Sequence, residues 1–346
     1  MIDFVARISC MTYNHAPYIS DAMNGFVMQK TNFPFVCTIV DDASTDGEQE
    51  VIKEYVQEHF DLQDSSISYE KDTDYGHVTF ARHKTNKNCY FAIVYLKENH
   101  YSQKKSKAPY LTEWRDTKYI ALCEGDDYWI DPLKLQKQVD FMETHEGFGF
   151  VGTNVMLNTN GNMIQEPSMV PSGKIEGDFV IVGNVFEYAK NGPPARTVSL
   201  LYKKELLEPY KNFLGGDIVL ETVLAKVSNY AYYKNYACVY RVGVGISSSM
   251  NNLERALRYN DWYVNCRRLQ KKLFPDDFNW SEEELDDRGV YLRLKYAIRE
   301  MKWKTALQYK RQLKSDNYKQ KTYSKHLYGP CSCLLLWMIQ RIMYHE

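Results

Sequence analysis

The apolar positions of the N-terminal half of this chain switch between two periods. Residues 4–11 alternate apolar and polar as a half-buried strand does, and residues 35–40 form a short unbroken apolar run of the kind buried in a parallel sheet. Between them Ile19, Ala22, Met23, Phe26 and Val27 recur at i, i+3, i+4, i+7 and i+8, which predicts an amphipathic helix. Val51, Tyr55, Val56 and Phe60 continue with helical spacing. Polar turns at 14–17 and 41–47 separate these segments. A β-α-β-α order of this sort predicts a parallel sheet with right-handed crossovers.

Further along, residues 90–96 suit a helix or a strand, and the Lys-rich stretch 97–107 reads as a surface insertion. Residues 119–123 and 148–155 are strand candidates, 158–177 reads as loop, and 198–202 is a short apolar segment. Residues 218–227 are helical in pattern and 231–240 strand-like. From Asn251 the pattern is helical, with 291–299 and 303–313 as a helix pair. The expectation is an α/β domain over residues 1–250 and a helical C-terminal region over 251–346.

The composition, 44% hydrophobic and 25% charged over 346 residues, is that of a globular protein of about two domains. A net charge of −1 argues against nucleic acid as a general partner. The charge is uneven, however: residues 302–346 carry +7, which leaves −8 on the rest. In that tail Leu335, Met338, Ile339, Ile342 and Met343 share one helical face behind a run of lysines. A basic stretch beside a short amphipathic helix reads as a peripheral anchor on an anionic membrane surface, and packing on the catalytic domain or a second subunit reads equally well. The eight cysteines are scattered without Cys-x-x-Cys or zinc spacing, and the chain opens on a strand candidate instead of a secretory signal. No apolar run reaches the ~18 residues of a membrane span. These features predict a cytoplasmic protein, with the tail offering a peripheral placement on the inner face of the cytoplasmic membrane.

The candidate chemistry concentrates where the apolar run at 119–123 stops at Glu124-Gly125-Asp126-Asp127, followed by Tyr128-Trp129 and Asp131-Pro132. A buried strand ending in carboxylates puts anionic oxygens at the carboxyl edge of a sheet, where open α/β folds bind ligands. Three carboxylates so close repel one another unless a hard divalent cation neutralises them, and oxygen-only ligation suits Mg²⁺ or Mn²⁺. An acidic strand-to-helix turn with Asp131 as the helix cap accounts for the same residues without a metal.

Several segments, in order, resemble family-2 glycosyltransferases. Residues 8–14 (Ile-Ser-Cys-Met-Thr-Tyr-Asn) are similar to the first strand and nucleotide loop of that family, and Gln29-Lys30-Thr31 to the Gln-Thr that closes its first helix. Residues 39–47 are similar to its second strand with a DDxSxDG turn, Glu124–Asp127 stands at its Asp-x-Asp motif, and Gly215-Gly216-Asp217 at its catalytic base. Tyr240-Arg241…Gly245-Ile246-Ser247 is similar to a late Tyr-Arg…Gly-x-Ser element. The resemblance spans roughly residues 3–250. It implies a GT-A fold, a Rossmann-like nucleotide-binding, mixed but mainly parallel sheet flanked by helices, and an inverting transfer from a nucleotide-sugar donor, most simply a UDP-sugar. The implied acceptor is a glycan or lipid-linked hydroxyl, as in bacterial surface-polysaccharide synthesis.

Carried over residue by residue, the resemblance implies donor contacts from Thr12, Tyr13, Asn14, Asp42, Arg82, Asp126 and Arg241. Tyr13 would stack on the base, Asp42 would accept its imide N–H, and Arg82 would pair with a phosphate. Asx-turn chemistry offers an alternative for Asp41, Asp42 and Asp46. Asp127 is the first metal ligand and Asp126 the second, for Mn²⁺ or Mg²⁺. Asp217 is the general base, unless it merely caps the helix that follows. Thr197, Ser199 and Trp129 fall on the acceptor side, with core packing an equal reading for Thr197 and Ser199. Two departures stand out: Glu124 occupies a place where relatives often carry Asp, and Gly243 one where they often carry His. A sugar-1-phosphate nucleotidyltransferase would need a Gly-rich basic loop that residues 11–15 lack. A catalytically silent carbohydrate- or partner-binding domain on the same fold is the alternative from another class.

Overall fold

The computed structural model describes residues 2–166, 173–211, 216–244 and 252–321. The chain divides into two compact units, Met1–Gly245 and Ile246–Glu346. The first begins as the periodicity predicts: β1 (Ala6–Thr12), α1 (Ile19–Val27), β2 (Phe35–Asp41) and α2 (Glu48–His59). There follow β3 (Phe60–Asp61), β4 (Tyr69–Asp72), β5 (Gly76–His83), β6 (Cys89–Leu96), β7 (Tyr119–Leu122), β8 (Tyr128–Trp129), α3 (Lys134–Thr144), β9 (Phe148–Thr159), β10 (Asn162–Glu166), β11 (Lys174–Glu176), β12 (Phe179–Gly183), α4 (Phe186–Ala189), β13 (Leu201–Lys203), α5 (Asp217–Val227) and β14 (Asn229–Arg241). The strands form one mixed sheet in the order β11-β12-β14-β9-β13-β7-β1-β2-β6-β5-β3.

The heart of that sheet, β7-β1-β2-β6, is all parallel. Both β2 and β6 are buried along their whole length, as strands covered on two faces must be. Helix α1 turns Ile19, Ala22, Met23 and Phe26 into one core, where Phe26 meets Trp129 edge-on at 5.5 Å. The other face is covered by the segment after β6. A 3₁₀ helix at Ala108–Trp114 packs Leu111 and Trp114 against Val36, Phe80 and Val94. The ambiguous segment at 90–96 is therefore strand, and residues 108–114, just beyond the expected surface insertion, form a lid on the sheet.

Residues 158–166 depart from the loop expectation. Asn160 and Gly161 both have positive φ, 52° and 86°, and join β9 to β10 with Thr159 paired to Asn162. Asn-Gly at the two central positions is a strong hairpin signal, because both tolerate the left-handed conformation that a two-residue turn requires.

The second unit contains α6 (Asn252–Leu273), α7 (Glu282–Arg299), α8 (Trp303–Gln312) and α9 (Asp316–Lys321). The expected helix pair forms, with α7 beginning nine residues earlier than its apolar pattern, at Glu282. Leu294, Ile298, Ala306 and Leu313 share its core, and the Asp287 carboxylate accepts the amides of Lys314 and Ser315 ahead of α9. The apolar face expected at 335–343 lies outside the described residues. Among the described residues no helix is long and apolar enough to cross a membrane.

One polar side chain fastens the first unit internally. Gln29, fully buried after α1, donates to the carbonyls of Gly25 and Asp131 and accepts the Leu135 amide at 3.0 Å. It thereby fixes where α3 starts relative to α1, and so the turn between β7 and α3. Replacing it by an apolar residue of similar length leaves the buried Leu135 N–H without an acceptor. Gln29→Met should lower unfolding stability by about 1–3 kcal/mol, measured by urea denaturation. An unchanged midpoint would show that water or another group takes over those bonds.

Candidate active site

Parallel register brings the ends of four strands to one edge. Thr12 pairs with Asp41, Asp41 with Tyr95, and Ser9 with Leu122, the last residue of β7. The loops after β1 and β2 are then locked together by Glu48, the fully buried first residue of α2. Its carboxylate accepts the Thr12 hydroxyl, the His15 amide at 2.9 Å and the Ser44 hydroxyl at 2.7 Å. Asn14 accepts the Thr45 amide, and Asp46 accepts those of Ala16 and Glu48. Thr12 and Asn14 thus spend their side chains on building the edge, whereas Tyr13 stays half-buried at its rim. Sequence reasoning passed over Glu48, because an acidic residue in a first helical turn looks like ordinary dipole compensation.

The acidic turn lies against this lock. Gly125 donates its amide to Met11, and a Cβ there would fall 2.1 Å from Thr12 Oγ1, so only glycine admits this approach. Asp126 points toward His15 Nε2 at 3.7 Å. Asp127 is buried and accepts the Arg241 amide at 2.8 Å. Burial first, then the charge of Asp126, pushes the Asp127 carboxyl up to about 8 against the pull of that amide. Glu124 keeps a solvent-exposed surface, yet protein is packed around its carboxyl. That crowding, with Asp126 and Asp217, raises it to about 7. Among the described residues no three His, Cys, Asp or Glu side chains converge into a metal cage. The donor set nonetheless fits a hard cation, since Mg²⁺ at phosphates is commonly held by one or two carboxylates and completed by the ligand and water.

Asp217 is the first residue of α5 and is exposed. The N-cap is Gly216, at φ 115° and without a side-chain bond, so Asp217 does not serve as the cap. Its Oδ2 accepts the Thr197 hydroxyl at 3.2 Å. Its charge also acts on Glu124, so base candidate and acidic turn share one electrostatic neighbourhood.

Other expected site residues are placed differently. Arg82 pairs with Tyr90 at the start of β6, whereas Gly76 pairs with Leu96 at its end. The Gly…Ala-Arg segment is a strand running away from the site, which carries Arg82 to the opposite edge, about 20 Å distant at ~3.3 Å per residue. Trp129 is core: only 1% exposed, with Nε1–H donating to the Val198 carbonyl. Alternation along β8 turns Tyr128 toward the site instead, where it stacks on Arg241. Ser199 is buried and spends its hydroxyl on the Arg196 carbonyl. Arg241 reaches the edge, but its guanidinium binds the Asp21 carboxylate and the Asp126 carbonyl between the rings of Tyr18 and Tyr128. Asp42 is 3% exposed, its carboxylate taken up by three donors from residues 100–107.

No family model matches the chain. Uncharacterized proteins of Mycobacterium bovis and Mycobacterium tuberculosis are 34% identical to it over 138 residues, which is 40% of this chain and 31% of theirs. The chain thus matches about a third of the length of these relatives. TuaG of Bacillus subtilis, provisionally named a teichuronic acid biosynthesis glycosyltransferase, is 29% identical over 160 residues, 45% of this chain and 50% of TuaG. Among solved structures, residues 1–349 of Staphylococcus aureus TarS with UDP-GlcNAc align with 83% of this chain and 71% of that one, at 13% identity and a TM-score of 0.47. A Pyrobaculum calidifontis mannosyltransferase with GDP-Man and Mn²⁺ aligns with 99% and 81%, at 14% identity and a TM-score of 0.45. At these scores the chemistry rests on this chain's own residues.

Behind Asp217, one helical turn on, the fully buried Glu221 accepts the Ala195 amide through Oε2, while Oε1 has no hydrogen-bond partner among the described residues. Burial, and then the Asp217 charge, drives its carboxyl well above the ordinary range. The folded state therefore holds a proton that the unfolded chain has released, and stability falls as pH rises above the ordinary carboxylate pKa. Glu221→Gln should remove that part of the loss between about pH 5 and pH 8. Thermal melts of both proteins across that range check it, and parallel curves would exclude Glu221 as the source.

Proposed function

We propose that the chain is a metal-dependent, inverting glycosyltransferase that moves a sugar from a nucleotide-sugar donor, most simply a UDP-sugar, to a hydroxyl of a glycan or lipid-linked acceptor. The observation that carries this reading is the exposed Asp217 carboxylate, held by Thr197 and electrostatically coupled to the acidic turn. One solvent-facing carboxylate opposite a cluster of oxygen ligands is what a single in-line displacement requires. The motif resemblance supports the same class, as does the partial match to TuaG.

In this reading the acceptor hydroxyl meets the free oxygen of Asp217, while the Thr197 hydroxyl holds the other. Asp217 takes the hydroxyl proton as the acceptor oxygen bonds to the anomeric carbon, and the bond from that carbon to the diphosphate oxygen breaks on the opposite face. Inversion follows, and no covalent enzyme intermediate is needed. Asp126 and Asp127 would hold Mn²⁺ or Mg²⁺, which supplies positive charge opposite the departing diphosphate. Tyr13 offers its ring to the base, and Thr12 and Asn14 shape the loop that carries it. The basic tail would bring a lipid-linked acceptor within reach from an anionic membrane surface, with the catalytic unit on the cytoplasmic side.

Asp217→Asn preserves size and removes the base. Turnover should fall by ~10²-fold or more with nucleotide binding retained, as read by steady-state kinetics beside calorimetry. An unchanged rate sinks the base assignment. Asp127→Ala should remove most turnover and weaken UDP binding in the presence of Mn²⁺. Full activity of that variant in excess EDTA excludes the metal role, and metal-dependent UDP binding with no sugar release from any donor favours a silent binding domain.

A further inference from the structure

The carboxyl edge carries Asp41, Asp42, Glu48, Glu124, Asp126, Asp127 and Asp217, and a nucleoside diphosphate would add more negative charge. Of the two cations expected from sequence, Arg82 and Arg241, only Arg241 reaches it. Arg82 lies at the far edge of the sheet, and Gly243 has no side chain. Arg241 is committed to Asp21 and to the Asp126 carbonyl between two tyrosine rings.

A lysine from the segment that read as a surface insertion also reaches the edge. Lys107 Nζ lies 2.9 Å from Asp42 Oδ2, with its side chain 18% exposed. Asp42 donates its own amide to the Thr12 carbonyl at 3.0 Å, and the acidic turn bonds to the neighbouring Met11 carbonyl through Gly125. The ends of β2 and β1 and the acidic turn are therefore side by side. Two strand spacings, about 10 Å, separate the lysine's anchor from the carboxylates of the turn. That span suits a ribose and diphosphate lying across the edge.

The Asp42 carboxylate is spent on the same loop. Oδ1 accepts the His100 amide at 2.8 Å, Oδ2 accepts the Tyr101 amide at 3.0 Å besides Lys107, and the Asp42 carbonyl accepts Asn99 Nδ2. The loop is braced from behind by His100 Nε2 at 2.9 Å from the Tyr110 hydroxyl. Three of the carboxylate's roughly four acceptor sites are taken and the residue is 3% exposed, so little of it is open to a base imide. An ammonium has three N–H donors, and the bond to Asp42 uses one.

Building on the nucleotide-sugar reading, we propose that Lys107 is the side chain that contacts the donor phosphates, and that Asp42 is a positioning residue which fastens Lys107 and its loop at this edge instead of reading the base. A test dissects the nucleotide by parts, using calorimetry with uridine, UMP, UDP, CDP and GDP in the presence of Mn²⁺. Lys107→Gln should weaken UDP about 10-fold, as loss of a charge-assisted bond does, and leave uridine unchanged. Lys107→Arg should restore most of the affinity. Asp42→Asn should reproduce the Lys107→Gln pattern without altering the preference among UDP, CDP and GDP. Equal UDP affinity in Lys107→Gln and wild type overturns the lysine assignment. A changed base preference in Asp42→Asn with phosphate dependence intact overturns the positioning role. Wild-type protein that binds none of the three diphosphates refutes the nucleotide-sugar reading itself, and this inference falls with it.

Discussion

Mutual repulsion among carboxylates at the carboxyl edge of the sheet is the constraint around which this molecule is arranged. Parallel register aligns the ends of β1, β2 and β7, and acidic residues follow β2 and β7. Each carboxylate is made tolerable by a different device. Glu48 is surrounded by two hydroxyls and an amide, and Asp46 accepts two amides. Asp42 has two amides and an ammonium. Asp127 has one amide and is otherwise left with a raised pKa, and Asp217 stays in water. The carboxylates that serve the structure thus have several donors of their own, and those with the fewest lie in the acidic turn and at Asp217. Carboxylates crowded together with few donors are ones whose repulsion a cation, or a cation-bearing ligand, would relieve.

The same arrangement explains how stability and chemistry share one stretch of chain. The segment between β6 and β7 covers an apolar face of the sheet with Leu111 and Trp114, and its preceding loop closes over Asp42. Glu113 in the 3₁₀ helix accepts the Tyr69 hydroxyl and pairs with Lys71, so the lid is also tied to β4. Exposed ion pairs of that kind add little to stability. The aromatic and aliphatic contacts beneath them carry most of the attachment. A loop held this way is preorganised, and a lysine at its end loses little freedom on meeting a ligand.

Much of the fold could be read from local pattern. The first strands and helices fall where periodicity places them because each pattern is set by which neighbours share a face, a property of a few consecutive residues. The acidic turn and Asp217 were legible for the same reason: a strand that stops at carboxylates, or a helix that starts at one, is a local event. Trp129 shows where this fails. Alternation requires Tyr128 and Trp129 to face opposite ways, but which of them is buried depends on α1, whose Phe26 lies more than a hundred residues away. Arg82 failed for a related reason. Its segment was read by motif, while the β-branched and aromatic residues Val78, Thr79 and Phe80 make it a strand that leads away from the edge.

Sequence alone thus determined the element types, the α/β class and which carboxylates would stand at the ends of elements, because hydrophobic period and chain order act over short range. Tertiary structure alone decided which of those carboxylates are satisfied. The Asp42–His100 bond joins residues 58 apart and the Asp127–Arg241 bond residues 114 apart. Such pairings follow from how strands are ordered in the sheet and how a loop returns to its edge. Hydrogen bonds and charge neutralisation need atoms within about 3 Å, and only the folded chain sets distances of that size between residues far apart in sequence.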